Sequence, residues 1–139
     1  MRMPRCQDIP EEFWYPSNAN EQDLQVFRLT IHSNSICGED FLSKYELDKK
    51  QGKDTTRYAN DDKYYGLSVL EDFADAQKLL AKVKAKRNNL KGVSIGSTND
   101  GLIRKTPSID LPSHHTWWPF SDANPEMSFS IYLNGDDHE

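Results

Sequence analysis

Hydrophobic and polar residues alternate from Leu24 to His32, and this period of two is typical of a half-buried strand. Similar short apolar segments predict the remaining strands of the domain. They lie at residues 64–70, 92–96, 102–105, 114–118 and 127–133. The sequence Asn99-Asp100-Gly101 separates two of these segments, and its turn chemistry predicts that they form a β-hairpin.

A helical period replaces the strand period between residues 72 and 87, which predicts one principal helix. Apolar residues recur there with the spacing of a buried stripe: Phe73, Ala76, Leu80 and Val83. One or two helical turns are predicted near residues 39–46, and the polar residues 48–63 predict a surface loop. The element order predicts a small α+β domain with an antiparallel or mixed sheet.

The predicted elements all lie between residues 24 and 133, which are expected to form a single domain. A chain of 139 residues is long enough for one hydrophobic core. Residues 1–23 predict an irregular arm, and its aromatic island, Phe13-Trp14-Tyr15, is expected to dock on the domain or on a partner. Residues 134–139 predict a disordered acidic tail.

The core formers are few, and aromatic residues compensate for them. Leu, Ile, Val and Phe together supply 29 of the 139 residues, while Phe, Trp and Tyr supply 15. Each aromatic side chain can bury roughly 150–250 Å², so the core is expected to be aromatic-rich. The aromatics cluster at residues 13–15, 64–65 and 117–120, close to predicted loops, and part of this material is expected to form a binding surface.

The charge pattern narrows the classes of partner. Seventeen basic and 22 acidic residues leave a net charge of −5, which disfavours nucleic acid as a partner. No apolar run is long enough for a membrane helix, and acidic residues interrupt the start of the chain where a signal peptide would be apolar. We therefore expect a cytoplasmic protein with free thiols at Cys6 and Cys37, without a metal site or a required cofactor.

The densest cluster of candidate binding residues is the segment His114-His115-Thr116-Trp117-Trp118. Neighbouring residues of a strand face opposite sides, so only one of the two histidines can face a given site. That histidine would act as a general acid or base, or would bind a ligand whose ring stacks on Trp117 or Trp118. The structural alternative is that the tryptophans close the edge of the core and the histidines bind buried backbone groups.

Arg28 is the second candidate, because it stands in the middle of the first predicted strand. Such an arginine often lies at the rim of a sheet, with its aliphatic stem packed and its guanidinium in water. It can instead bind a phosphate or carboxylate through two parallel hydrogen bonds. The sequence leaves both roles open.

Several short motifs in this order resemble a group of small, uncharacterised bacterial proteins. They are Val26-Phe27-Arg28, Asp40-Phe41-Leu42-Ser43, Gly66-Leu67-Ser68-Val69, Ala76 and His114-His115-Thr116-Trp117. The resemblance covers residues 24–120 and implies a bacterial or phage origin, but it implies no activity.

The order of Arg28, Ser68 and Glu126 also resembles the Arg-Ser-Glu type of the ADP-ribosyltransferase fold. In such enzymes the arginine and serine hold NAD, and the glutamate stabilises transfer of the ribosyl group. The resemblance implies an NAD- or nucleotide-handling protein, with His115 and the neighbouring tryptophans as a wall of the site. This chain has Asn124 where the family carries a second acid, two residues before the glutamate.

Two functions therefore remain open at this point. The first is a non-catalytic interaction protein with a protein partner, such as an immunity, antitoxin or defence-related protein. Small size, acidity and the lack of a complete catalytic motif favour it. The second is an NAD- or nucleotide-handling protein or toxin that uses Arg28, Ser68, Glu126 and His115. The second function requires that Arg28, Ser68 and one histidine converge on one cleft, and a surface without a pocket would favour the first.

Overall fold

The computed structural model of the protein describes residues 3–5, 8–85 and 89–132. Cys6, the end of the predicted principal helix at residues 86–87 and the predicted tail at 134–139 lie outside the described residues. Cys37 is a free, half-buried thiol. No helix in the described ranges is long and apolar enough to cross a membrane.

The protein is a small single-domain α+β fold, as the sequence predicted, and its sheet is antiparallel throughout. The six strands are β1 (Gln25–Thr30), β2 (Leu67–Leu70), β3 (Gly92–Ser97), β4 (Gly101–Lys105), β5 (His114–Pro119) and β6 (Ser130–Ile131). The helices are α1 (Lys44–Lys50), α2 (Phe73–Ala85) and α3 (Pro125–Ser128). Short 3-10 turns occupy Glu11–Phe13, Gly38–Phe41 and Asp62–Tyr65.

The predicted hairpin between β3 and β4 is wrong, because these strands do not pair with each other. The sheet order is β4-β5-β2-β1-β3-β6, so three strands separate them. Instead, the chain between β3 and β4 is hydrogen-bonded to the residues that precede β1. Thr98 Oγ1 donates a hydrogen bond to the Gln22 carbonyl at 2.7 Å, and the Thr98 amide donates one to Leu24 at 3.1 Å.

This connection requires a strongly curled sheet. In a flat sheet, four interstrand steps would separate β3 from β4 by about 19 Å. The three connecting residues, 98–100, provide four Cα–Cα steps, which reach about 15 Å at most. The sheet therefore bends until the chain before β1 approaches β4, where Asn20 and Ile103 form a two-hydrogen-bond bridge.

Apolar side chains fill both sides of this curled sheet. One side holds the inner cluster, which consists of Val26, Phe41, Leu67, Val69, Ile103, Trp117 and Phe129. Helix α2 covers the other side, where it packs against Phe27, Leu29, Leu70 and Val93. The amino-terminal arm docks on its own domain, because Ile9, Phe13 and Trp14 pack with Tyr64, Tyr65 and Trp118.

Around residues 38–65 the predicted helical turn is present, and two other predictions need correction. The turn expected near 39–46 is a 3-10 turn followed by α1, which a capping box between Ser43 and Glu46 begins. The expected loop at 48–63 starts inside α1, and Asp48 is buried rather than at the surface. The strand predicted from residue 64 begins only at Leu67, because a 3-10 turn precedes it.

Buried Asp48 makes stability depend on pH. The Tyr64 hydroxyl donates a hydrogen bond to Asp48 Oδ2 at 2.6 Å. This bond, aided by Lys44, lowers the pKa of the Asp48 carboxyl. A depressed carboxyl pKa stabilises the fold above the unfolded value of roughly 3.9, and that stabilisation is lost as pH falls through the folded pKa.

We therefore expect Tyr64→Phe to lower the melting temperature most at neutral pH. The difference from wild type should narrow as pH falls below about 4, because the unfolded Asp48 carboxyl then takes up a proton before the folded one does. Tyr58→Phe is the matched control, because Tyr58 is 46% exposed and packs on the same tyrosine ring. Melting curves from pH 3 to pH 7 measure both, and a constant Tyr64→Phe deficit across that range would contradict the linkage.

Candidate functional site

Strands β1 and β2 separate along most of their length, and Arg28 occupies the gap. They pair at a single register position, where Phe27 lies opposite Leu70. The Arg28 guanidinium connects β1 to β2 and to residues 38–43, because it donates hydrogen bonds to three main-chain carbonyls. Its Nε, Nη1 and Nη2 atoms bind the carbonyls of Asp40 at 2.6 Å, Ser68 at 2.8 Å and Leu42 at 3.2 Å.

The positive charge of Arg28 is balanced by the nearby carboxylates of Asp40 and Glu46, which do not form an ion pair with it. Burial lowers the pKa of its guanidinium to about 10, against the opposing effect of the Asp40 and Glu46 charges. The Asp40 carboxylate accepts hydrogen bonds from the amides of Ile31 and Cys37 instead. Among the described residues no carboxylate forms an ion pair with Arg28, and two of its five N–H donors remain unused.

A cavity of about 260 Å³ opens beside this guanidinium, between the separated strands, α2 and α1. We call it the Arg28 cavity. Aliphatic side chains from every neighbouring element line it: Leu29, Leu42, Leu47, Leu70, Leu79 and Val83. Its polar lining comes from Arg28, Ser68, Glu39 and Asp40, and none of the described residues that line it is aromatic.

The cavity brings together two of the residues singled out in the sequence. Arg28 and Ser68 both line it, although Ser68 binds the guanidinium through its carbonyl rather than its hydroxyl. Glu126 lies elsewhere, in α3, where its carboxylate is 3.5 Å from Arg5 Nη2. His115 lines two other cavities, so Arg28, Ser68 and a histidine do not share one cleft.

The two histidines of β5 have separate environments, as the strand alternation predicted. His114 Nδ1 lies 2.8 Å from Thr106 Oγ1 and 3.0 Å from the Thr106 carbonyl. Burial lowers the pKa of His114, although the backbone contact to Thr106 opposes this effect. His115 is 3% exposed, with Nδ1 at 2.8 Å from the Ser113 carbonyl and Nε2 at 3.3 Å from Glu71 Oε1.

The His115–Glu71 pair borders two polar cavities of about 160 and 280 Å³. Lys105 lines both, and an imidazole held by a carboxylate is a familiar arrangement for a general acid or base. No serine, threonine or cysteine side chain is hydrogen-bonded to His115 among the described residues. The pair therefore lacks an activated nucleophile in this part of the chain.

Both tryptophans of β5 are buried, with exposures of 1% for Trp117 and 3% for Trp118. Trp117 stacks on Phe129 in the inner cluster, with ring centroids 5.7 Å apart. Trp118 donates from Nε1 to the Asp62 carbonyl at 3.0 Å, and the Arg104 guanidinium lies 5.0 Å from its ring centroid. Both rings therefore pack within the protein, as expected if the tryptophans close the edge of the core rather than bind a ligand.

No protein-family model, curated protein or solved structure matches this chain. Both resemblances noted in the sequence therefore stay predictions. The described residues contain no group of three or more His, Cys, Asp or Glu side chains arranged to hold a metal ion. The chemistry of the Arg28 cavity is the best remaining guide to function.

Sequence reasoning identified Arg28 and Ser68 but missed the other walls of the cavity. Leu79 is the clearest example, because it precedes Leu80 of the predicted apolar stripe and was not assigned to it. Two consecutive leucines on an amphipathic helix widen its apolar face, and this signal was present in the sequence. The carbonyls that bind Arg28 carry no side-chain signature, so no sequence pattern could reveal them.

Proposed function

We propose that the chain is a non-catalytic binding protein and that the Arg28 cavity is its binding site. One observation carries this proposal: Arg28, whose guanidinium has two donors unused among the described residues, lines a cavity whose walls are otherwise mainly aliphatic. A mostly apolar pocket with a few placed polar groups is typical of small-molecule sites. We keep the cytoplasm as its expected location.

The position of the titratable groups favours binding over catalysis at this site. A general acid or base must come within about 3 Å of the atom that it serves, directly or through one water. His115 and Glu126, the proposed catalytic side chains, line other parts of the molecule. The carboxylates whose charges act on Arg28 are already engaged, since Asp40 binds two amides and Glu46 accepts a hydrogen bond from the Ser43 amide at 2.9 Å.

NAD or nucleotide handling is the weaker candidate, because Arg28 and Ser68 meet in one cavity but no described histidine lines it. Its volume of about 260 Å³ lies below the roughly 300–1,000 Å³ of pockets that enclose drug-sized ligands. A dinucleotide would therefore leave most of its atoms outside. None of the described lining residues has an aromatic ring that could stack on a nucleobase, which also favours a smaller, aliphatic ligand.

A ligand screen on a matched pair of α2 variants tests the proposed site. Leu79→Phe places a larger side chain in the cavity. Leu80→Phe is the matched control, because Leu80 packs against the same core cluster as Leu79 but does not line the cavity. Thermal shifts are measured with carboxylic acids, alcohols, sugars, nucleotides and NAD. A ligand at about 100 times its dissociation constant adds about 2.7 kcal/mol, or several degrees in a domain of this size.

We expect at least one small molecule to raise the melting temperature of wild type and Leu80→Phe but not of Leu79→Phe. A ligand that shifts all three equally binds elsewhere and would contradict the proposal. If no small molecule produces a shift, the proposal fails and the protein partner predicted from the sequence becomes the better hypothesis. Release of nicotinamide from NAD, followed by chromatography, would establish the second candidate instead.

A further inference from the structure

We infer that the Arg28 cavity binds a singly charged carboxylic acid with an aliphatic chain of about eight carbon atoms. This inference rests on the proposed function and specifies its ligand. It follows from three properties of the cavity: the unused donors of Arg28, the aliphatic walls and the volume.

The anionic group follows from Arg28. Its guanidinium is partly desolvated, stays charged at neutral pH and has two unused N–H donors. A carboxylate accepts charge-assisted hydrogen bonds from such N–H groups and replaces interactions that Arg28 lost with water. The cavity therefore favours an acid over an amine, an amide or an alcohol of the same length.

The limit to one negative charge follows from the acids beside the same guanidinium. Glu39 and Asp40 both line the cavity, and the Asp40 charge already acts on Arg28. Each further negative charge on a ligand is repelled by the buried Asp40 carboxylate. A monocarboxylate is thus favoured over a phosphate ester or a nucleotide.

The chain length follows from the walls and the volume. Leucine, isoleucine and valine side chains offer dispersion contacts but no hydrogen bonds to the body of a ligand. At about 30 Å³ for each water-sized group, a cavity of 260 Å³ holds about nine such groups. One carboxylate and seven methylene or methyl groups nearly fill that space, which corresponds to octanoate.

Isothermal titration of the full chain with two ligand series tests this inference. The first series is butanoate, hexanoate, octanoate, decanoate and dodecanoate, each below its micelle concentration. Burial of one methylene strengthens binding about fourfold, so affinity should rise by this factor per carbon and level off near octanoate. The second series is octanoate, octanamide and octylammonium, which share a chain and differ in the head group.

We expect octanamide to bind at least tenfold more weakly than octanoate, and octylammonium not to bind. The head-group series replaces a test with Arg28 variants, because Arg28 also holds three carbonyls and its replacement weakens the fold. Leu79→Phe should abolish octanoate binding, and Leu80→Phe should bind like wild type. Far-UV circular dichroism of both variants verifies that they are folded.

The outcomes separate this inference from the proposed function. If octanamide or octylammonium binds as well as octanoate and Leu79→Phe abolishes that binding, the cavity is a binding site but the inferred ligand class is wrong. An affinity that keeps rising through dodecanoate would also overturn the inferred chain length. If octanoate does not bind, or binds Leu79→Phe as it binds wild type, the inference fails outright.

Discussion

Replacement of Trp117 by alanine is expected to destabilise the domain by about 3–5 kcal/mol. The indole is 1% exposed and lies in the inner cluster, where it stacks on Phe129. Strands β2 and β4 also place Leu67 and Ile103 in that cluster, so alanine would leave a cavity at the centre of the curled sheet. Since small domains have a total stability of roughly 5–15 kcal/mol, we expect a large shift of the urea midpoint.

Trp117→Phe is the informative companion variant. The indole Nε1 of Trp117 is buried without a hydrogen-bond partner among the described residues, and phenylalanine removes that polar group while it keeps an aromatic ring. We expect a loss well below that of alanine, measured by circular dichroism because Trp14 and Trp118 also fluoresce. An alanine variant within about 1 kcal/mol of wild type would contradict a central packing role for this ring.

The second large effect is expected for Arg28→Met, which keeps most of the aliphatic stem but removes the guanidinium. The change leaves the carbonyls of Asp40, Leu42 and Ser68 without this partner. An unpaired buried acceptor costs about 1–3 kcal/mol, so we expect a total loss of about 3 kcal/mol, with the exposed Ser68 contributing least. Urea unfolding measures the loss.

Arg28→Lys is the control for charge in this test. Lysine keeps the positive charge, but its single ammonium cannot reach three carbonyls arranged around a planar fork. We expect an intermediate loss, together with faster amide hydrogen exchange in residues 38–43 for both variants. If Arg28→Met unfolds at the wild-type urea concentration, the guanidinium does not hold β1, β2 and the 38–43 segment together.

The two roles of Arg28 are compatible because they use different donors. Two N–H groups bind the 38–43 segment and one binds β2, and the other two are available to a ligand. The gap between β1 and β2 that requires this arginine is also what opens the cavity beside it. The structural connection and the proposed binding site therefore arise from the same departure from regular strand pairing.

Much of the secondary structure could be predicted because it depends on local periodicity. The alternation from Leu24 to His32 contains β1, and the stripe in residues 72–87 contains α2. The same alternation correctly separated His114 from His115, since adjacent strand residues face opposite sides. The beginning of α1 was missed, although Ser43 and Glu46 have the spacing of a capping box.

The candidate site could be predicted only in part. Arg28 was identifiable because a charged residue interrupts an apolar pattern, and Ser68 because of its place in a motif. Their contact was not readable, since Arg28 binds main-chain carbonyls that every residue possesses. The tryptophans were expected to contribute to a binding surface because the sequence places them near loops. The structure buries them because β5 lies between β4 and β2.

By itself, the sequence determined the α+β class, the positions of β1 and α2 and the opposite orientation of the β5 histidines. Each of these follows from the spacing of side chains along a few consecutive residues. Only the tertiary structure decided that β3 and β4 lie apart, that β1 and β2 separate at Arg28 and that aliphatic residues enclose the resulting cavity. Strand pairing and cavities depend on contacts between residues far apart in the chain, and turn chemistry such as Asn99-Asp100-Gly101 does not encode them.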